Sequence, residues 1–444
     1  MKKLLSLVLA LMMLFSATTA MAASEAPAAA PVTEPVTLKL WHSATSSMLT
    51  ALEKLVADFN ALDNNITIEM EFQGIYEEAV AKLRGLEPGT GPDIMQLWEA
   101  GTAWMANSDY IIKMQSFINR DGFDVSDFQP NITGYYSIDG ELYSMPFNCS
   151  VPCLIYNKTV AEEIGLDLDK AFYSVDDLVE TAKAYKNHGM LYGGTLPNAS
   201  WYFEEFMSRQ GAPMVDQNNG HSGTATRTVM MDSGEAVEAL NAWKRIYDTG
   251  ASFNFGQGGT EDPNQFMAGN VGFTLYSSAG IPFFLSALEG VFELGVAPYP
   301  RVHADDVGGG VAVGGASMWI MDNKDDMKAN AAWEFIKFLV QPENQAYFTT
   351  VTGYLPVSIA AKEVPSYVEY VNNVNPVMKT LMASLEESDA SSIAALFGVY
   401  SQTRIIVQNG IEEMITSGIS AEEALESICQ QVDDEIYMYN RTNK

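Results

Sequence analysis

Aromatic side chains with polar neighbours recur at the predicted ends of secondary-structure elements. They are Tyr76, Trp98-Glu99, Trp201-Tyr202, Tyr276-Ser277 and Tyr354. Aromatic rings stack on the apolar faces of a small hydroxylated molecule, while nearby polar groups bond to its hydroxyls. A single such aromatic usually belongs to a core, because aromatic residues are mostly buried. Their joint placement at element ends favours a binding site for a small polar ligand.

The sequence gives little support for a nucleotide-binding site or a calcium-binding site. The glycines between Gly308 and Gly315 lack the Lys-Ser or Lys-Thr that completes a nucleotide phosphate loop, so a flexible crossing is the better interpretation. Residues from Asp216 alternate like a calcium loop, but His221 replaces the required glycine and Arg227 replaces the bidentate glutamate. We therefore expect a loop or hairpin tip at this position, with no metal and no cofactor.

Cysteines and paired carboxylates offer little further chemistry. Cys149 and Cys153 are too far apart in an extended segment to form a disulfide, so we expect buried free thiols, with Cys429 a third on a helix. Adjacent residues of a helix diverge by about 100°, so most carboxylate pairs should lie on solvated faces. These pairs include Glu77-Glu78, Glu204-Glu205 and Glu412-Glu413.

Length and charge narrow the possible functions. The chain has 444 residues, of which 47% are apolar, and this is enough for about two domains. Its 25 basic and 56 acidic residues give a formal charge of −31, which repels nucleic acid. Four histidines and three cysteines are too few for a multi-cysteine zinc framework.

The amino terminus has the pattern of an export signal. Lys2 and Lys3 precede an apolar run from Leu4 to Phe15, and Ala20-Met21-Ala22 provides small residues for cleavage. A membrane anchor would need a longer apolar run of roughly 20 residues. We predict a signal peptide at residues 1–22, a flexible leader at 23–35, and a mature protein in the periplasm, since no cysteine near the cleavage point could accept a lipid.

Hydrophobic periodicity predicts alternating strands and helices. Strands are predicted at 36–41, 66–72 and 93–98, with helices at 48–59 and 76–86 between them. This order implies a parallel sheet with helices on its faces, where ligands bind beyond the carboxyl ends of the strands. Glu99 lies at such an end. Later helices are predicted at 176–186, 233–249 and 330–340, and later strands at 154–157, 271–276 and 316–321.

Several short motifs are distributed along the chain. They are Trp41-His42-Ser43, Trp98-Glu99-Ala100-Gly101-Thr102-Ala103, Gly134-Tyr135-Tyr136, Pro146-Phe147-Asn148-Cys149-Ser150, Tyr156-Asn157-Lys158, Val313 to Trp319, Thr352 to Pro356 and Arg404. Together they resemble the extracellular solute-binding proteins of ABC importers, in particular the glycerol-phosphate branch of that family. The resemblance runs in register from about Val36 to Ile436. Tyr-Asn-Lys and Thr-Gly-Tyr-Leu-Pro belong to the wider group of carbohydrate binders, whereas the Glu-x-Gly-Thr-Ala, Pro-Phe-Asn-x-Ser and Gly-Gly-Ala-Ser blocks are specific to the glycerol-phosphate branch.

The resemblance implies an α/β fold, a two-lobed clamshell with three hinge crossings. Each lobe is expected to be a mostly parallel sheet flanked by helices, closing on the ligand about the hinge. The implied lobe 1 consists of residues 36–148 and 315–353. The implied lobe 2 consists of residues 149–314 and 354–444.

The resemblance also implies a set of ligand-binding residues. They are Tyr76, Glu99, Ser150, Trp201, Ser277, Gly315, Tyr354 and Arg404. The family uses two tryptophans three residues apart, but here Asn198 stands at the first of the two positions. The vacated space could accept a larger head group. Arg404 would supply a bidentate fork to a phosphate, and Glu99 would accept from glycerol hydroxyls.

These expectations describe a non-enzymatic, monomeric binding protein that serves the membrane permease subunits of an ABC importer. Its ligand would be a small phosphorylated polyol, either glycerol 3-phosphate or a related glycerophosphodiester. One alternative is an oligosaccharide-binding protein of a carbohydrate importer. Another is a secreted hydrolase, which would need a pair of cleft carboxylates about 5 to 10 Å apart. Only Glu99 stands out as a cleft carboxylate in the sequence.

Overall fold

The computed structural model describes residues 23–388, 392 and 394–442, so the predicted signal peptide lies outside the described residues. Eleven strands are present in this part of the chain. They are β1 (Val36–His42), β2 (Ile66–Phe72), β3 (Ile94–Trp98), β4 (Ile111–Ile112), β5 (Ser137–Ile138), β6 (Glu141–Leu142), β7 (Met145–Ser150), β8 (Pro152–Asn157), β9 (Phe273–Ser277), β10 (Leu294–Pro298) and β11 (Gly314–Met321).

Helices make up most of the remaining structure. They are α1 (Ser46–Asn60), α2 (Tyr76–Arg84), α3 (Thr102–Ala106), α4 (Met114–Asp121), α5 (Pro130–Tyr135), α6 (Lys158–Glu163), α7 (Val175–His188), α8 (Ser200–Arg209), α9 (Glu235–Tyr247), α10 (Asp262–Met267), α11 (Ile281–Ala287), α12 (Asp326–Leu339), α13 (Pro342–Thr352), α14 (Pro365–Glu369), α15 (Met378–Glu386), α16 (Tyr400–Ser417) and α17 (Ala421–Thr442). Residues 216–219 form a turn in which Gln217 and Asn218 are left-handed, in agreement with the predicted loop.

The first lobe is built on a six-stranded sheet in the order β2-β1-β3-β11-β4, with β7 also paired to β11. β1 is parallel to both β2 and β3, as the βαβαβ pattern predicts. Helices cover both faces of this sheet. Leu38 and Leu40 pack on one side with Leu52 of α1, while Met95 and Leu97 pack on the other. The sheet is therefore the middle layer of three.

The second lobe contains a three-stranded sheet in the order β10-β8-β9. Both neighbours of β8 are antiparallel to it, and in the first lobe β11 is antiparallel to β3 and β7. The α/β clamshell is confirmed, but the expectation of a mostly parallel sheet in each lobe holds only for β1 to β3. The sequence pattern gives the period of a strand and not its direction.

The lobe crossings explain the strand directions. β8 enters the second lobe directly from β7 through Val151, so its amino end lies at the crossing. β9 reaches the same place with its carboxyl end, because Ser277 pairs with Pro152. In the first lobe β11 likewise starts at its crossing, where Ala316 pairs with Trp98 at the end of β3. A strand that begins at a crossing is therefore antiparallel to a neighbouring strand that ends at the cleft.

Residues 355–359 follow the predicted third crossing and are bonded to segments of both implied lobes. The Leu355 amide donates to the Cys149 carbonyl at 2.7 Å, and the Gln129 amide donates to Val357 at 3.0 Å. The Ile359 amide also donates to the Asp127 carbonyl at 2.7 Å. Val357 and Ile359 thus bond to residues 127–129 of the implied first lobe, whereas Leu355 bonds to Cys149, the first residue of the implied second lobe. The boundary at 353/354 stays a prediction. Backbone pairing between such distant segments leaves no trace in local periodicity.

The stretch that composition predicts as a flexible leader is bonded to the first lobe. The Ser24 amide donates to the Ile111 carbonyl at 3.1 Å, and the Lys113 amide donates to Ser24 at 2.9 Å. Ala26 donates from its amide to Ser116 Oγ at 2.8 Å. Ser24 therefore pairs with the edge of the sheet at β4, and Ala26 is bonded to α4, so the first residues of the expected flexible leader are held on the lobe. Backbone groups make these bonds, so an Ala- and Pro-rich composition does not prevent them.

Cys149, Cys153 and Cys429 are free and buried, which confirms the predicted thiols. None of the described helices combines the length and the apolar character that a membrane span requires. Within the described part of the chain, no three His, Cys, Asp or Glu side chains are grouped closely enough to hold a metal ion.

Glu205 is a buried carboxylate tied to the second crossing. Its side chain lies on α8, and Oε2 accepts from the Ala312 amide at 2.9 Å. Glu205 is completely buried, and its Oε1 has no hydrogen-bond partner among the described residues. Burial raises the pKa of this carboxyl well above its ordinary value. The folded protein therefore retains a proton here that the unfolded chain releases at lower pH.

This proton makes the stability of the fold depend on pH. The free energy of unfolding should fall as the pH rises from the unfolded pKa of about 4.3 toward the raised folded pKa, by up to about 1.4 kcal/mol per pH unit. Glu205→Gln should remove this slope, so the variant gains stability relative to the parent between pH 5.5 and 8 in urea unfolding. Exposed Glu413→Gln is the control. The prediction is contradicted if the free energy of unfolding depends on pH in the same way in the parent and in Glu205→Gln.

Candidate functional site

Arg404 is the centre of a buried ionic cluster between the lobes. It lies in the first turns of α16, with a side chain that is 12% exposed. Arg404 Nε donates to Glu204 Oε1 at 2.9 Å, and Arg404 Nη2 donates to Glu204 Oε2 at 2.8 Å. The two side chains face each other as a planar fork against a carboxylate, which is the strongest form of this ion pair.

A second carboxylate reaches Arg404 from the first lobe. Glu99 follows β3 in a 3-10 turn, and its Oε1 lies 2.8 Å from Arg404 Nη2. Its other oxygen, Oε2, accepts from the Gly315 amide at 3.1 Å. Three of the predicted binding residues, Glu99, Gly315 and Arg404, are therefore joined directly. The Glu99–Arg404 contact links the first lobe to the second.

The pKa shifts in this cluster have two opposing causes. Burial lowers the pKa of Arg404, but the charges of Glu204 and Glu99 outweigh it and hold that pKa well above its usual value. Burial raises the pKa of Glu99, and the neighbouring Arg404 only partly offsets the rise. Arg404 is therefore a permanent cation here, and Glu99 gains a proton more readily than an ordinary glutamate.

Gly315 brings the backbone unusually close to the first crossing. Its φ is +106°, and a Cβ at this position would lie 2.0 Å from the Asn148 carbonyl oxygen. Only glycine combines this conformation with this approach. On the neighbouring residue, Gly314, a Cβ would lie 2.8 Å from Trp201 Cζ2. The predicted Trp201 thus packs directly on the start of β11.

The two predicted tyrosines flank the other side of the cluster. Tyr76 stacks on Trp98 with ring centroids 6.0 Å apart, and the Tyr354 ring stacks on Phe348 at the same distance. Burial raises the pKa of both phenols, whereas nearby Asn148 lowers it. Asn148 is fully buried and accepts from Gln96 Nε2 at 2.8 Å. Both phenols therefore remain neutral hydrogen-bonding groups.

The two predicted serines end strands at the first crossing. Ser150 closes β7 and pairs with Gly314, which puts it beside Gly315. Ser277 closes β9, pairs with Pro152, and accepts from the Ala279 amide at 3.3 Å. No hydrogen bond between described residues joins Ser277 to Arg404. The structure thus brings Ser150 to the cluster more closely than Ser277.

A cavity of about 600 Å³ opens beside the cluster between α2, α8 and α16. Trp201 and Arg404 line it, together with Trp98, Trp104 and Arg84. The guanidinium of Arg84 lies 4.4 Å from the centre of the Trp104 ring, which is a cation–π distance. The cavity is large enough for a small ligand. Of the eight predicted residues, only Trp201 and Arg404 form its lining.

Another cavity, of about 660 Å³, lies on the first lobe beneath residues 30–32. It is lined mainly by apolar side chains such as Phe59 and Phe338, and none of the predicted binding residues reaches it. The interlobe cavity is therefore the better candidate for the functional site, because the charged and aromatic groups converge there.

Sequence reasoning missed the most important partner of Arg404. Glu204 was grouped with Glu205 among carboxylates on solvated faces, but both are buried. The sequence of α8, Ser-Trp-Tyr-Phe-Glu-Glu-Phe-Met-Ser-Arg, offers little signal for this burial, because its polar residues share one side of the helix as they do on a solvated face. Only the packing of α16 against that side shows that these carboxylates must be paired or protonated.

Asn198 does not face the interlobe cavity. It is 1% exposed, and its Nδ2 donates to the Gln408 carbonyl at 3.2 Å and to Glu412 Oε2 at 3.0 Å. The next residue, Ala199, lines the cavity, whereas Asn198 does not. The suggestion that Asn198 vacates space for a larger ligand head is therefore wrong, because this side chain is turned toward α16.

The chain is similar to known binding proteins in sequence and in fold. The chain is 28% identical to the sn-glycerol-3-phosphate-binding periplasmic protein UgpB of Escherichia coli (strain K12) over 416 residues, 92% of this chain and 94% of that protein. UgpB from Mycobacterium tuberculosis in complex with glycerophosphocholine has a similar fold, with a TM-score of 0.73 at 21% identity, covering 93% of this chain and 99% of that one.

A sugar-binding structure is equally similar in fold. The cyclic alpha-maltosyl-1,6-maltose binding protein of Arthrobacter globiformis has a TM-score of 0.75 at 21% identity, covering 90% of this chain and 99% of that one. The sequence model of the bacterial extracellular solute-binding proteins matches residues 54–375. These matches confirm the predicted resemblance. The chain belongs to the family of bacterial extracellular solute-binding proteins, the substrate-binding components of ABC importers.

Proposed function

We propose that this protein binds a phosphate ester of glycerol in the periplasm and delivers it unchanged to the membrane permease subunits of an ABC importer. The ligand is sn-glycerol 3-phosphate or a related glycerophosphodiester. It occupies the interlobe cavity and is enclosed when the lobes close about their crossings. The protein acts as a monomer and as a carrier, without converting its ligand.

The observation that carries this proposal is the arginine at the cavity wall. A phosphate ester in a protein with a formal charge of −31 needs a fixed local cation. Arg404 supplies it, and Arg84 adds a second positive group to the cavity lining. The relatives named for sn-glycerol 3-phosphate and for the glycerophosphocholine complex support the same ligand class.

Groups beside Arg404 are suited to the glycerol part of the ligand. Glu99, Gly315 and Ser150 do not line the cavity in this structure, and they reach the ligand when it displaces the Glu99–Arg404 contact. Glu99 then accepts from glycerol hydroxyls, and the Gly315 amide and Ser150 hydroxyl serve as neutral donors. Tyr76 and Tyr354 offer phenols that remain protonated. The Trp201 ring covers the carbon skeleton. Ser277 completes the set from the end of β9.

The hydrolase alternative lacks a suitable carboxylate pair. A glycosidase-type mechanism needs an acid and a base placed on either side of the scissile bond. The two buried carboxylates nearest the cavity, Glu99 and Glu204, share a single arginine. Both are held by this cation, so neither is placed as a general acid opposite the other. This arrangement supports binding over catalysis.

An oligosaccharide ligand is the second candidate. Arg404 already contacts two carboxylates, and three tryptophans line the cavity, an arrangement that also suits an uncharged sugar. The chain also shares its fold with the cyclic alpha-maltosyl-1,6-maltose binding protein.

Titration calorimetry with three compounds separates the candidates. The mature protein should bind sn-glycerol 3-phosphate or glycerophosphocholine and not maltose. The bound ligand should be recovered intact by mass spectrometry, and solution scattering should show a more compact protein. Binding of maltose alone would replace the phosphate proposal with the sugar one. Conversion of a bound diester would contradict the carrier role.

Arg404→Lys tests the bidentate contact. An ammonium keeps the charge but cannot make two parallel bonds, so affinity for the phosphate ester should fall by about 1.5–3 kcal/mol. Arg227→Lys is a matched control, because Arg227 makes a similar two-bond pair with Asp232 on the exposed surface of the second lobe. Calorimetry should show no change for the control. If Arg404→Lys binds the phosphate ester as tightly as the parent does, Arg404 is not part of the binding site.

Trp201→Ala tests the aromatic wall. Loss of the ring should weaken binding of the phosphate ester by about 1–3 kcal/mol while the protein stays folded. Tyr437→Ala serves as control, since this ring is 59% exposed and does not line the cavity. Calorimetry and circular dichroism are the measurements. Unchanged affinity would show that the ligand does not contact Trp201.

A further inference from the structure

Glu204 is the most completely bonded carboxylate near the cavity. Its Oε1 accepts from Arg404 Nε and from Ser200 Oγ at 2.9 Å each. Its Oε2 accepts from Arg404 Nη2 at 2.8 Å and from Tyr400 OH at 2.7 Å. The side chain is only 2% exposed. Four donors therefore hold one buried negative charge in place.

Two helices assemble this arrangement inside one lobe. Ser200 and Glu204 are one turn apart on α8, and Tyr400 and Arg404 are one turn apart on α16. Residues four apart lie on the same face of a helix, so the two pairs meet across the helix interface. The Glu204–Arg404 pair thus belongs to the second lobe alone and does not depend on lobe closure.

Glu99 differs from Glu204 in this respect. It comes from the first lobe and contacts only the Nη2 atom of Arg404. Among the described residues no hydrogen bond is found at Arg404 Nη1, and the Arg404 side chain lines the cavity. A ligand anion can therefore bond to Nη1 and take the place of Glu99 at Nη2, while Glu204 stays where it is.

The charges around the cavity add up to a negative value. Glu77, Glu99 and Glu204 contribute three negative charges, and Arg84 and Arg404 contribute two positive ones. Glu205 faces away toward the second crossing, and burial raises its pKa well above its ordinary value. The phenols of Tyr135 and Tyr400, which face the cluster from α5 and α16, also have raised pKa values because they are buried.

We infer that Glu204 is a positioning residue that sets the charge of the ligand, so that the site prefers a singly charged phosphodiester to a doubly charged phosphomonoester. Glu204 fixes the plane of the Arg404 fork and keeps one negative charge beside it. An anion with a single charge takes the place of Glu99 at Arg404 Nη2. A second charge on the ligand adds to the carboxylates of Glu77, Glu99 and Glu204, which already outnumber the two arginines of the cavity.

This inference rests on the proposed function and deepens it. The test compares the dissociation constants of sn-glycerol 3-phosphate and glycerophosphocholine in the mature protein at pH 7.5 and 5.5. The second pKa of a phosphomonoester is about 6, so the monoester is mostly dianionic at the higher pH and mostly monoanionic at the lower. The ratio of the two constants is the readout, because Glu99 and other protein groups that titrate act on both ligands.

The parent protein should bind the diester more tightly at pH 7.5. Its preference should shrink on the order of tenfold at pH 5.5, as the monoester loses its second charge. Glu204→Gln keeps the size of the side chain and removes its charge. This variant should reduce the preference at pH 7.5 on the order of tenfold, with a weaker dependence on pH. Glu413→Gln, an exposed glutamate on α16 with the same charge change, should behave as the parent.

Each result has a distinct meaning. Failure of the parent to bind either phosphate ester contradicts the proposed function itself. Binding of both esters with a ratio that does not change with pH overturns the role of ligand charge. A Glu204→Gln variant that folds and keeps the parent ratio overturns the role of Glu204. If this variant does not fold, the pH dependence of the parent ratio still decides whether the site distinguishes the two charges.

Discussion

The structure depends on how a permanent cation is accommodated between two lobes. Arg404 is nearly buried and must be paired, because an isolated buried charge costs far more than a domain can afford. Its partners come from both sides: Glu204 from its own lobe and Glu99 from the other. The same constraint orients Gly315, whose amide holds the second oxygen of Glu99. Lobe position and site chemistry are thus linked through one guanidinium.

The position of the site at the crossings follows from strand direction. Strands that enter from a crossing expose amide groups at the cleft, as β11 does at Gly315. Strands that end there place their next residues at the cleft, as β3 does with Glu99. An amide donor and a carboxylate acceptor consequently meet where the chain passes between lobes. Such a meeting of opposite strand ends gives a closing cleft both kinds of hydrogen-bonding group.

Local sequence patterns predicted much of this arrangement. They did not predict which segments distant in the sequence pair with each other. The period-two pattern of Ile66–Phe72 predicted both ends of β2, because one face of that strand is buried. The direction of β9 was not predictable, since periodicity is the same for parallel and antiparallel strands. Glu204 was misjudged because spacing along a helix does not reveal what packs against it. The bonds of residues 24–26 were missed because backbone groups make them.

The three buried cysteines give the native protein internal reporters of local opening. Cys149 and Cys153 flank the first crossing at Val151, and Cys429 lies on the last helix. Burial raises the pKa of all three thiols, to about 11 for Cys429. Only an exposed thiolate reacts with an alkylating reagent, so each cysteine is modified when its own segment opens. The relative rates of alkylation therefore distinguish breathing of the crossing from fraying of the carboxyl-terminal helix.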